Sequence, residues 1–213
     1  MMNKSEIMAD IKRQLENIYD IMRDKNTGLY YHGYDESRSM YWADSRTGLS
    51  SEYWLRSICW LMAGLADIFE FSDGDLKELC GNMLSDLICA MLEYQNTDGM
   101  FYQLPTRYEL SGNYPETSGT ALYAFSAIKS ARMGICGNSV RESGLKAFES
   151  LVKNHIDFEN NIPVLNNICL VAGLGGENHR NGSAEYYLSE PVIKNDAKGI
   201  APFIMAYTEY LRI

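Results

Sequence analysis

Apolar positions recur at helical spacing in six segments of the chain, and these segments alternate in character. Ser5 to Arg23 carries one stripe, Ile7, Ile11, Leu15, Ile18 and Met22, against charged residues, with Ser5 as the expected N-cap. Ser51 to Phe71 is apolar nearly all round. Trp54, Ile58, Leu61, Leu65 and Ile68 follow one side and Leu55, Cys59, Met62 and Ala66 another, which predicts a buried helix. Asp75 to Gln95 returns to a stripe (Leu76, Leu79, Met83, Leu87, Met91), with Lys77, Glu78 and Asp86 on its wetter side. Thr117 to Met133 is apolar and small, Val140 to Val152 is amphipathic, and Asp196 to Leu211 is again largely apolar.

The order is thus outer, inner, outer, inner, outer, inner. A toroid of helical hairpins produces that alternation, because one helix of each hairpin lines the centre and the other faces water. An open α-solenoid uses the same hairpin logic. The toroid is expected because Gly28 to Ser50, Asp98 to Pro115 and Gly173 to Pro191 are long, glycine-rich and aromatic, and each enters the N-terminus of an inner helix. Three such loops would converge on one rim, where binding groups gather on a rigid scaffold. The expected fold is all-α, with three hairpins in one domain over residues 1–213. Alternating runs such as Met100 to Leu104 predict small β-ribbons.

Composition narrows the partners. A hydrophobic content of 46% fills a real core, while the net charge of −9 and pI near 4.9 argue against a phosphate-backbone ligand. No basic stretch followed by an apolar run opens the chain, and no run of about 18 apolar residues occurs, so no membrane association and a cytoplasmic location are expected. The five cysteines include no C-x-x-C pair and no histidine at ligand spacing, which predicts small buried hydrophobes, no metal and no cofactor. Fifteen tyrosines are unusual, and aromatic faces stack on sugar rings as readily as they fill a helical core.

The first loaded loop reads Thr27-Gly28-Leu29-Tyr30-Tyr31-His32-Gly33-Tyr34-Asp35-Glu36-Ser37, then Trp42-Ala43-Asp44, and leads to Trp54, Arg56 and Trp60 at i, i+2 and i+6. Arg56 falls near the first turn of a helix. An arginine that pairs with a carboxylate in bidentate fashion, beside a flat indole, suits a sugar acid. The same spacing also suits a buried tryptophan pair with Arg56 bridged to an acidic side chain, and the residues alone leave both readings open.

The string G-L-Y-Y-H-G-Y-D-E-S, the W-A-D after it and W-x-R-x-x-x-W at the helix start resemble glycoside hydrolase family 105. So do Tyr114-Pro115-Glu116-Thr117-Ser118-Gly119-Thr120-Ala121, Glu185 to Val192, Asn195-Asp196 and Lys198-Gly199, all in the family's order. The resemblance implies an (α/α)6 barrel acting on the unsaturated uronic acid that lyases leave at the end of pectin fragments, as an unsaturated rhamnogalacturonyl hydrolase does. An aspartic acid protonates the C4=C5 enol ether and assists water onto C5, and the resulting hemiketal collapses to release the next sugar. By the same resemblance His32, Trp54, Arg56 and Trp60 are the substrate-binding residues, although Leu55, Ser57, Ile58 and Cys59 stand where members commonly carry glycine.

In the family the catalytic aspartate precedes the segment matching Gly28 to Ser37, whereas this sequence opens only one helix earlier. Glu6, Asp10, Glu16, Asp20 and Asp24 mark a solvated face, and Asp35, Glu36, Glu116 and Glu190 suit caps, turns or substrate contacts, so no catalytic residue is assigned. Three hairpins amount to about half of the barrel. Their outer flanks need cover, expected from a homodimer or a complementary N-terminal half. The alternative to a hydrolase half is a catalytically silent carbohydrate-binding or scaffold protein.

Overall fold

The computed structural model describes residues 3–177 and 179–213. Helix α1 (Lys4–Asn17) is capped by Asn3, whose side chain accepts from the Glu6 N–H while the Glu6 carboxylate accepts from the Asn3 N–H, both at 2.9 Å. This reciprocal box corrects the expected N-cap, placing Ser5 inside the first turn. The helix widens into a π-helical turn (Ile18–Met22) before the first long loop.

Five further helices follow the predicted order: α2 (Leu55–Phe71), α3 (Gly74–Leu92), α4 (Thr117–Arg132), α5 (Asn138–Asn154) and, after a short α6 (Ala184–Ser189), α7 (Ala197–Tyr210). The three inner helices α2, α4 and α7 stand side by side, with α4 in the middle packed on α2, α5 and α7. Every residue of α4 from Thr117 to Ser130 is buried. Its serines, glycine and alanines allow that close approach: a Cβ added at Gly119 would meet Leu55 Cγ at 2.5 Å, and one added at Gly144 of α5 would meet Ala127 Cβ at 2.9 Å. The result is half of an (α/α)6 toroid.

Two expectations about burial change. The sequence predicts α2 buried all round, yet Trp60 and Asp67 are exposed and Leu61 and Gly64 half-buried, because no inner helix covers that flank. Cys59, Cys80 and Cys169 are buried, but Cys89 lies on the exposed side of α3. At their C-terminal ends the inner helices are tied by ion pairs. Lys129 meets Asp67 and Glu70 at 2.6 Å, and Arg132 meets Glu209 at 2.7 Å, with Arg212 on the same carboxylate at 2.9 Å.

Short strands decorate the opposite rim. β1 (Ile156–Glu159) and β2 (Ile162–Leu165) form a hairpin through Asn160 and Asn161, both at positive φ, the geometry a two-residue type I′ turn demands. β3 (Ile168–Cys169) pairs with β4 (Val192–Ile193), drawing the last long loop across the N-terminus of α4. The run Met100 to Leu104 makes a narrower ribbon than predicted, bridging Tyr102 to Pro115. No helix among the described residues is long and apolar enough to cross a membrane.

Candidate functional site

The N-terminal ends of α2, α4 and α7 meet under these loops. Trp54 is the N-cap residue of α2, and Arg56 lies one step into the first turn, both buried. The Arg56 guanidinium carbon sits 4.9 Å from the Trp54 ring centroid, a cation–π contact. Its Nη1 donates to the Cys169 carbonyl at 2.6 Å and to Ser118 Oγ at 3.1 Å. Among the described residues Arg56 has no carboxylate bonded to it, so a carbonyl and a hydroxyl hold it in place of the acidic partner that a purely structural role would supply.

Glu116 organises that frame. Fully buried at the N-cap of α4, it accepts from the Ser118 N–H at 3.2 Å, Ser118 Oγ at 2.6 Å, the Gly119 N–H at 2.7 Å and the Cys169 N–H at 3.0 Å. Both carboxylate oxygens are engaged, and the residue fixes the two groups that hold Arg56. Asp196 is the N-cap of α7, its side chain accepting from the Lys198 N–H. Its carboxyl is held below the usual range by hydrogen bonds from the Lys198 side chain and backbone, with Arg56 adding to the effect.

His32 arrives from the first loop. Its Nδ1 lies 2.5 Å from the Tyr187 hydroxyl, and its ring centroid is 4.8 Å from that of Trp54. Burial lowers its pKa to about 4, so the imidazole is neutral near pH 7. Gln103 completes the group, accepting from Trp54 Nε1 at 3.2 Å and donating to Cys169 Sγ at 3.1 Å and to the Tyr187 carbonyl at 3.4 Å. A cavity of about 140 Å³ opens beside His32, bounded by Tyr31, Ser57 and Leu61.

Three of the four sequence-selected residues, His32, Trp54 and Arg56, therefore stand together. Trp60 does not join them: it lies one helical turn beyond Arg56 on the same face of α2, 47% exposed on the open side of the half ring. The remaining loop acids have local roles. Asp35 accepts from the backbone N–H groups of Ser37, Ser39 and Met40, which hold its carboxyl low, and Glu190 lies 3.9 Å from Arg180. Gln103, Tyr187, Cys169 and Ser118 were not selected from the sequence. Tyr187 and Ser118 do fall inside the motif segments. No cluster of three metal-ligating side chains is found among the described residues.

The whole chain, residues 1–213, matches the model of the family described as Glycosyl Hydrolase Family 88. Protein Atu3128 of Agrobacterium fabrum is 34% identical over 220 residues, covering 98% of this chain and 92% of its own length. The 24.9 kDa protein in the picA locus of Rhizobium radiobacter gives the same figures. Among solved structures, a glycoside hydrolase of family 105 from C. acetobutylicum superposes with a TM-score of 0.94 at 35% identity, covering 99% of this chain and 59% of that one. A possible family 105 member from Salmonella enterica superposes with a TM-score of 0.81 at 23% identity, covering 99% of this chain and 51% of the other. The chain thus spans little more than half the length of these structural relatives, while it spans most of the two curated ones.

Proposed function

From the premise that this chain belongs to glycosyl hydrolase family 88 and groups with family 105, we propose that it binds the 4,5-unsaturated galacturonic acid at the non-reducing end of pectin-derived oligosaccharides. The observation that carries the reading is the placement of Arg56. Its guanidinium is fixed through Nη1 by neutral acceptors, beside an indole and a neutral imidazole. A substrate carboxylate would give Arg56 the directly bonded anion that neither Glu116 nor Asp196 supplies, and Trp54 a face for the ring.

In this reading these 213 residues contribute substrate recognition for hydration of the C4=C5 double bond, and the proton donor comes from outside them. Glu116 has no oxygen to spare for proton transfer, since both accept from the α4 cap and Cys169. A second copy or a complementary half packs on the two apolar flanks of the half ring. One flank exposes Trp60 and Phe71. The other carries a groove of about 520 Å³ lined by Phe148, Val152, Phe203 and Tyr207. A complementary half brings an acid and turnover, whereas a second copy makes a ring that binds without catalysis.

Calorimetry with an unsaturated galacturonyl-rhamnose disaccharide tests the reading. The wild type binds, and Arg56→Lys, which keeps the charge and loses the planar fork, weakens binding about tenfold or more. Equal binding by both proteins removes Arg56 from the site. A parallel assay following loss of the double bond's ultraviolet absorbance separates the two closures, because turnover by the purified chain alone contradicts the assignment of the proton donor elsewhere.

A further inference from the structure

We propose a second carbohydrate subsite on the same rim, in a cavity of about 500 Å³ between the loop 41–51 and Asn181, holding an internal, saturated uronate of the oligosaccharide whose unsaturated end lies at Arg56. The proposal rests on the sugar-acid reading above and extends it along the chain of the ligand.

The cavity is built around a fixed indole. Trp42 lies against two glycine backbones: a Cβ added at Gly33 would meet its six-membered ring at 3.4 Å, and one added at Gly175 would meet its Nε1 at 3.4 Å. Gly175 also takes a φ of +76°, so this contact depends on glycine twice over. The wall is completed by Tyr31, Arg46, Thr47, Ser51 and Asn181. Ser51 Oγ donates to the Gly182 carbonyl at 2.6 Å, pinning the two loops that form the sides.

The polar groups of the wall are sorted by charge. Asp44 is turned back into its own loop, accepting from the Arg46 N–H, the Thr47 N–H and Thr47 Oγ1, and these bonds hold its carboxyl low. Asn181 Oδ1 accepts from the Ser183 N–H at 3.0 Å, which leaves its amide N–H groups as donors. The Arg46 guanidinium has no carboxylate within 4.0 Å among the described residues, and its charge adds to the lowering of Asp44 from a longer range. The cavity therefore offers a cation, amide donors and an aromatic face, while the Oδ1 of its one carboxylate is taken up by its own loop. A neutral sugar uses the face and leaves Arg46 to solvent, whereas a uronate uses the face and adds a charge-assisted bond from Arg46.

Position links this cavity to the first. Tyr31 walls both the Trp42 cavity and the smaller one beside His32. With Tyr31 as the shared wall, a ligand that passes His32 has the Trp42 cavity on the other side of that ring.

The test compares calorimetric affinity for the unsaturated disaccharide with that for the tetrasaccharide galacturonyl-rhamnosyl-galacturonyl-rhamnose bearing the same unsaturated end. The wild type binds the tetrasaccharide about tenfold more tightly, and Arg46→Gln removes that gain while leaving disaccharide affinity unchanged. Equal affinities in the wild type, or a gain that survives Arg46→Gln, overturns the subsite. Absence of disaccharide binding instead sinks the Arg56 reading. The subsite is then judged separately, by titrating saturated galacturonate against the ¹⁵N-labelled Trp42 indole. A shift that Arg46→Gln abolishes supports it, and an unmoved indole resonance overturns it.

Discussion

Gly119 of α4 packs so closely on Leu55 of α2 that an added Cβ would sit 2.5 Å from Leu55 Cγ and 2.7 Å from Cδ2. Both atoms belong to a fully buried branched side chain with no room to retreat. Gly119→Ala gains about 1 kcal/mol of helix propensity but forces apart two inner helices, an overpacking cost of roughly 1–3 kcal/mol. The expected outcome is a stability lower by up to about 2 kcal/mol in urea unfolding. Gly64, in α2, has nothing within 4 Å of its added Cβ, so Gly64→Ala raises stability by about 0.5–1 kcal/mol in the same measurement. Opposite signs at two helical glycines check the packing directly.

The Arg56 frame depends on a carboxylate that touches no substrate. Glu116→Gln replaces one acceptor by an NH₂ group, and all four of its partners are donors. One N–H must then face another. Loss of a charge-assisted bond together with an unsatisfied buried donor costs about 2–4 kcal/mol. Thermal denaturation of Glu116→Gln is expected to show that loss. An unchanged melting temperature means that the cap is dispensable and that the Ser118 and Cys169 groups hold Arg56 unaided.

The outer helices were legible because each buries a stripe at a constant period, and residues such as Leu76, Met83 and Leu87 of α3 lie in the core as that period requires. The cap was missed by two residues, since Asn3 and Ser5 are both good cap types and only the Glu6 side chain decides between them. The β1–β2 hairpin was missed although Asn160-Asn161 carries its turn signal, because β1 is largely exposed and β2 buries the adjacent pair Val164 and Leu165, so neither strand alternates. Within the site, Trp54 and Arg56 are close in sequence. Their partners are remote: Gln103 is 49 residues from Trp54, Cys169 is 113 from Arg56, and Tyr187 is 155 from His32. No local pattern encodes contacts at such separations.

His32 makes the site a source of acid sensitivity. Its pKa falls from the ordinary 6.5 to about 4 through burial, so below pH 6.5 the unfolded chain binds a proton that the folded one refuses. Stability is complete above pH 6.5 and declines as pH drops toward 4, by about 3 kcal/mol for the full shift. His155, whose pKa burial also lowers, adds in the same direction. His32→Gln is expected to flatten the slope of unfolding free energy between pH 6.5 and 4. Direct NMR titration of the imidazole should give a midpoint near 4, and a midpoint at 6.5 or above would mean that the ring is hydrated and free of the Trp54 and Tyr187 packing.

The two flanks of the half ring set the last expectation. Trp60 and Phe71 on one side are 47% and 84% exposed, and Val152, Ile204 and Leu211 on the other 45%, 54% and 64%. Apolar side chains exposed in such numbers along two helix edges mark surfaces that associate. Two copies related by a twofold axis along the ring would set α2 of each beside α7 of the other, using both flanks at once and restoring six inner helices. Sedimentation velocity is therefore expected to find a particle of twice the 24.2 kDa chain mass. Ile204→Asp, a charge on an already exposed site, should return it to one chain without loss of helical circular dichroism. A wild-type particle of one chain mass removes the second copy as the cover. The complementary half is then the remaining closure, and it predicts that the lone chain binds a hydrophobic dye at the α5/α7 groove and that Tyr207→Asp, in the groove's lining, reduces the signal.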